Sequence, residues 1–156
     1  MQRFYALGLL LLSAATAFSQ NYNTDAYTFH QSIVEAQQNI GTEVYNFNQS
    51  VSELNLKILK FEIQRSITFT DSLKVYNNET TYLDAAKKLF LFYKDVAEHE
   101  YTELLKIVED PELEAKDFKE KKIAVLSKIK VKANAVYPAY NAAQEAYCKK
   151  YGLKLE

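Results

Sequence analysis

His30, His99 and Cys148 are the side chains of this chain best suited to bind a metal or attack a substrate. Dimetal centres in helical bundles use a Glu-x-x-His pair on two helices plus two further glutamates. Tyr27 stands three residues before His30 and Val96 three before His99, so the motif is absent from both. Asp95, His99 and Glu103 share a helical spacing that would let a surface carboxylate–imidazole pair hold zinc weakly. The plainer reading is a solvated polar face of Asp95, Glu98, His99, Glu100 and Glu103. Covalent haem attachment needs C-x-x-C-H, and Cys148-Lys149-Lys150 does not supply it. A catalytic thiol needs a base and an orienting group. The only route to one is tertiary: if the first and last helices touch, His30 comes near Cys148. The favoured reading of Cys148 is a semi-buried thiol beside Tyr147. The alternative is a disulfide to a second chain, since an odd cysteine in an exported protein raises that pairing.

Tyrosine is the compositional excess, with 12 in the chain. Tyr93 and Tyr101 fall in one helical stretch, and Tyr137, Tyr140, Tyr147 and Tyr151 in another. They can line a pocket or a ligand face, although tyrosine also packs well in cores with its hydroxyl at the rim. Pro138, between Tyr137 and Tyr140, removes an amide donor and clashes with the Asn134 carbonyl, which predicts a kink. Lys116, Lys119, Lys121, Lys122, Lys128, Lys130 and Lys132 form a basic run. It would suit an acidic glycan, an outer-membrane surface or a protein partner, or be a solvated helix face. It holds no arginine and a single aromatic, which argues against nucleic acid. The candidate ligand or partner surface is therefore Tyr93, Tyr137, Tyr140, Tyr147, Lys128 and Lys132, with Cys148 as a candidate disulfide. No cofactor is expected.

These residues must be positioned by helices. Glycine and proline are scarce, at 3 and 2 in the chain, and strand-rich domains need more turn residues. Apolar residues recur at three and four. A first helix begins at Asn23-Thr24-Asp25 and carries Tyr27, Ile33 or Val34, Gln37, Ile40, Val44 and Phe47 along one side. Ser50-Val51-Ser52-Glu53 has the capping-box form and opens a second, with Leu54, Ile58, Phe61 and Phe69 as its stripe, interrupted at Arg65. Leu56, Leu59 and Ile63 lie beside that stripe and leave the inward direction open. After an Asn77-Asn78-Glu79-Thr80 turn, a third helix runs from Tyr82 to Val108, ended by Pro111. The fourth spans about 114–151, with Phe118, Ile123, Leu126, Ile129, Ala133, Tyr137, Tyr140 and Tyr147 inward and Gly152 as C-cap. The predicted fold is an all-α, antiparallel up-down-up-down four-helix bundle, kinked at Pro138. Residues 24–53 carry acids and no lysine or arginine, while 116–154 are strongly basic, so the first and last helices should attract.

Residues 1–19 read as a secretory signal peptide: Arg3, an apolar run through Leu9-Leu10-Leu11-Leu12, and Ala17-Phe18-Ser19 before Gln20. Residues 20–156 would then be one domain. Without Arg3, 18 basic residues face 20 acidic ones, so nothing favours nucleic acid. A lipid anchor needs a cysteine at the cleavage site, where Ser19 and Gln20 stand. The expected place is periplasm or cell surface, without a lipid anchor or transmembrane span.

The leader's end at Phe18-Ser19-Gln20, the stretch from Tyr27 through Ile33-Val34 to Gln37-Gln38, and Asp84-Ala85-Ala86 through Phe90, Tyr93 and Glu100-Tyr101 to Leu104 carry a resemblance. In these residues the chain is similar to small exported four-helix proteins of Bacteroidetes and spirochaetes, a domain of unknown function. The resemblance implies a helical bundle at the surface or in the periplasm, and no activity. The expected function is a non-enzymatic binding or envelope-associated protein, monomeric or linked as a dimer through Cys148. Its partner would be an envelope protein, a glycan or a small apolar ligand. The alternatives are a carrier with an interhelical pocket for a lipid, metabolite or haem-like group, and an enzyme of unrecognised type.

Overall fold

In the computed structural model residues 25–155 are described. The signal-peptide reading of 1–19 lies outside them. The described residues are helical and contain no strand: α1 (Ala26–Gln49), α2 (Glu53–Ser72), α3 (Thr81–Glu98), α4 (Glu100–Glu109) and α5 (Ala115–Tyr151), with a 3-10 turn at Tyr76–Asn78. This is a helical bundle in which α1 packs on α2, α2 on α3, and α3 and α4 on α5.

The ends follow local chemistry. The Asp25 carboxylate accepts from the Thr28 amide at 2.7 Å, capping α1. Ser50 closes α1 instead of opening a capping box. The α2 cap is Ser52, whose hydroxyl accepts from the Asn55 amide at 3.2 Å, while the Asn55 side chain donates to the Ser50 carbonyl. Asn77 and Asn78 turn the chain with φ of 50° and 59°, a left-handed region that asparagine tolerates. At the end of α5, Gly152 adopts φ 66° and the Leu153 amide reaches back to the Cys148 carbonyl, the Schellman closure.

Three expectations are corrected. The third helix is two helices, α3 and α4, broken at His99 with φ −111° and ψ −75°. On α2 the inward stripe is Leu56, Leu59 and Ile63, while Leu54, Ile58 and Phe61 face out at 66%, 41% and 70% exposure. Arg65 explains the choice. It lies on the Leu54–Phe61 side, and its guanidinium, costly to bury, pairs with Glu62 at the surface at 2.9 Å. The inward stripe instead continues through Ser66 and Thr70, both buried, whose hydroxyls bond backbone carbonyls, Ser66 to Ala36 across to α1. On α5, Ile123 and Leu126 are exposed, and Val125 alone is buried between 115 and 139. Tyr27 too lies outside the core.

The core is built from Phe29, Ile33, Ile40 and Phe47 of α1, the α2 trio, Tyr82, Leu89 and Phe90 of α3, Tyr101 and Leu104 of α4, and Tyr140 and Tyr147 of α5. Pro138 sits on the exposed side of α5, and helix continues on either side of it.

Candidate functional site

The polar groups of the core collect where the start of α1 meets the end of α5. His30, Tyr82, Tyr140 and Cys148 are each at most 1% exposed. The His30 Nδ1 lies 3.1 Å from the Tyr82 hydroxyl. That hydroxyl is 3.5 Å from the one on Tyr140, which donates to Gln37 Oε1 at 2.8 Å. Cys148 Sγ is 3.7 Å from the His30 Nε2 and 4.0 Å from Nδ1.

Donor counting orders these contacts. An amide oxygen only accepts, so Tyr140 spends its proton on Gln37. Tyr82 has a single proton, for either the His30 Nδ1 at 3.1 Å or the Tyr140 oxygen at 3.5 Å. The Cys148 sulfur is within reach of both ring nitrogens of His30. One connected chain runs thiol, imidazole, phenol, phenol, amide. Burial pushes the Cys148 thiol and the Tyr82 and Tyr140 phenols up from their ordinary values, because a charge is costly away from water. The thiol and the two phenols are thereby held neutral. The thiol and imidazole that sequence reasoning could bring together do meet, sealed inside the bundle. A disulfide from Cys148 to a second chain would require the end of α5 to open.

Rings surround this chain. Phe29, Tyr82 and Tyr147 pack within 5.1 to 6.3 Å between centroids, and the Tyr147 hydroxyl donates to the Ala26 carbonyl at 3.2 Å. A second aromatic group lies lower in the bundle: Tyr93 and Tyr137 bond hydroxyl to hydroxyl with their rings edge-on, and Phe92 packs on both. Tyr93 and Tyr147 are buried and Tyr137 is half-buried. The four tyrosines singled out from the sequence thus sit in the core with their hydroxyls paired.

Three lysines of α5 are engaged as well. Lys132 bridges Asp95, at the end of α3, and Glu100, at the start of α4, the latter at 2.6 Å. Lys128 reaches Glu103 of α4 at 2.8 Å, and Lys150 reaches Glu79 at 2.6 Å. The complement of the basic helix is therefore α3 and α4, and no salt bridge joins α1 to α5 among the described residues. Lys132 holds the Asp95 carboxyl below its ordinary value, and Asp95 and Glu100 together raise Lys132. Glu100 is 5% exposed and its Oε2 is without a hydrogen-bond partner. His99 is exposed and pairs with Asp95 at 3.1 Å. Among the described residues no three His, Cys, Asp or Glu side chains converge as metal ligands.

A shallow cleft of about 140 Å³ opens between α2 and α3, lined by Lys60, Ile63, Gln64, Lys94, Ala97 and Glu98. It is smaller than the roughly 300 Å³ at which small-molecule sites begin, and no tyrosine lines it. What faces solvent instead is the Leu54–Ile58–Phe61 stripe. Its spacing of four and three is visible in the sequence, where the neighbouring Leu56–Leu59–Ile63 row leaves the inward direction open. Gln37 and Tyr82 fall on inward faces by periodicity, but nothing local marks them as members of one polar chain.

Fold and site together define a helical bundle locked at one end by a buried polar chain, with an apolar row on one outer helix face. No family model, curated protein or solved structure matches the chain. Among the described residues, no helix is long and apolar enough to cross a membrane.

Proposed function

We propose that this is an exported envelope protein that works by docking to a protein partner through the outer face of α2. The observation that carries the reading is the exposure of Leu54, Ile58 and Phe61. They follow one another at four and three on a helix whose opposite face already fills the core. A helix apolar on both sides normally has both sides covered, and exposed apolar rows mark interaction sites. The paired tyrosine hydroxyls favour this reading over a ligand carrier.

Export rests on residues 1–19, which have the charge, apolar run and small-residue cut of a signal peptide. The family of small exported four-helix proteins named above remains part of the proposal. So does the up-down-up-down arrangement. Asp71 pairs with Lys87 and Lys60 with Thr102, while Gln37 meets Tyr140 and Ala26 meets Tyr147. In each set one residue number rises as the other falls, which suits antiparallel neighbours. A bend of α5 at Pro138 completes the picture.

A photo-reactive residue at position 58, in protein expressed with its leader, tests the function. The expected result is a cell-envelope location, a mass starting at Gln20, and one discrete crosslinked species that Phe61→Asp abolishes. A full-length mass in the cytoplasm, or crosslinking indifferent to Phe61→Asp, overturns it.

A further inference from the structure

The first half of α5 is the least covered part of the bundle, and its chemistry is sorted by face. Lys128 and Lys132 turn toward α3 and α4, drawn by Glu103, Asp95 and Glu100. Lys116, Lys119, Ile123, Leu126 and Lys130 follow one another at three, four, three and four, so they share the opposite side of the helix, with Lys122 at its edge. All six are exposed, Ile123 at 54% and Leu126 at 42%. None of these lysines is in a salt bridge among the described residues, whereas Lys128 and Lys132 both are. Asp117 falls outside the row by the same periodicity, while Glu120 lies at its other edge, as far from its centre as Lys122. Further along α5 this row becomes Ala133, Tyr137 and Tyr140, which pack on or within the core. The stripe that the second half buries emerges in the first half as lysines around an apolar centre.

We propose that this row docks the protein on an anionic lipid surface. Between residues 115 and 132 stand seven lysines and two acids, in a chain whose formal net charge is −1. The local field thus favours an anionic partner although the whole chain does not. A basic helix face with apolar residues at its middle lies in the headgroup region, its lysines reaching phosphates while the apolar groups enter the acyl boundary. Ile123 and Leu126 decide between partners: a soluble polyanion would use the lysines and gain nothing from two exposed aliphatic side chains. The inference rests on the envelope location proposed above, but not on the α2 partner.

Flotation of the exported protein, purified after removal of its leader, with vesicles tests it. Vesicles of phosphatidylcholine with 30% phosphatidylglycerol are compared with phosphatidylcholine alone, at low and high salt. The chain should float with the anionic vesicles alone and be released by salt. Each lysine near such a surface is worth about fivefold in partitioning, so Lys119→Glu/Lys122→Glu/Lys130→Glu should lose roughly a hundredfold or more. Ile123→Ser/Leu126→Ser keeps the charge and should lose about tenfold. Circular dichroism of each variant checks that the bundle is intact. Three results overturn the proposal: equal flotation with neutral vesicles, wild-type flotation of the charge-reversed variant, or wild-type flotation of the serine variant. The last, joined to equal heparin binding by both proteins, would assign the row to a polyanion. Crosslinking from position 58 does not involve this row, so failure here leaves the α2 reading standing.

Discussion

Lys132→Met keeps most of the stem of a side chain that ties α3 to α4 while removing its charge. Glu100 is then left in the core with no cation, its Oε2 already lacking a partner. Removing one member of a fully buried ion pair costs about 3–5 kcal/mol. The Lys132 side chain is 36% exposed and that of Asp95 46%, so water reaches the vacated space and the cost falls to about 2 kcal/mol. That is roughly a thirtyfold change in the folded-to-unfolded ratio, or a fall in Tm of about 6–10 °C. Urea unfolding followed by helical circular dichroism measures it. Adding Glu100→Gln to Lys132→Met should restore at least half the loss, because the stranded charge is gone. A Lys132→Met protein within about 0.5 kcal/mol of wild type, or a double variant no better than the single one, would refute the reasoning. The pH dependence follows from two shifts. The Asp95 carboxyl is held below its ordinary 3.8, so its contribution is complete above that value and lost as pH falls through the lower folded one. Lys132 is raised above 10.5, so its contribution is complete below that value and lost as pH rises through the folded one. The acid limb attributable to Asp95 should flatten in Lys132→Met.

The two faces of α2 should respond oppositely to truncation: Leu59→Ala costs about 2–5 kcal/mol and Phe61→Ala about 0.5 or less, and equal losses in chemical unfolding would mean that α2 is turned the other way. Tyr82, Tyr93, Tyr101, Tyr140 and Tyr147 are all pushed above the ordinary 10.0, chiefly by burial. Their neutral form stabilises the fold below 10.0, and that contribution is lost as pH rises beyond it. Absorbance at about 295 nm should therefore rise in two steps, the exposed phenols first and the buried set together with loss of helix. A single smooth titration around 10 with the helix intact would contradict their burial. A thiol reagent should modify Cys148 slowly in buffer and at once in urea, since the neutral sulfur is 1% exposed; immediate labelling of native protein would place it at the surface.

Helical class and most boundaries were legible because they depend on neighbours in sequence. Asp25, Pro111 and Gly152 act on the backbone within a few residues of themselves, and each does in the structure what its type predicts. Faces were less legible where a helix offers two. On α2 both stripes are apolar, and the decision came from one guanidinium and two small hydroxyl residues that let α1 approach. The break at His99 has no glycine or proline to announce it. Lys132 bridges it from 32 residues away, at a distance in sequence that periodicity does not reach. The same holds for the buried polar chain. Gln37 and Tyr140 stand 103 residues apart, and nothing near either marks the pairing. The meeting of His30 and Cys148 depends on the contact between the start of α1 and the end of α5, which no local spacing announces.

That lock has a consequence for the order in which the molecule can be completed. His30 and Gln37 belong to the first helix, while Tyr140, Tyr147 and Cys148 lie within three turns of the end of the last. A chain that leaves the ribosome, or threads a pore, with its N-terminus first presents the early helices long before their closing partners exist. Until those last turns arrive, the Tyr82 phenol lacks Tyr140, the His30 imidazole lacks the Cys148 thiol, and Phe29 has no Tyr147 against it. The polar chain at this end of the bundle therefore cannot be completed before the final segment of α5 has been made.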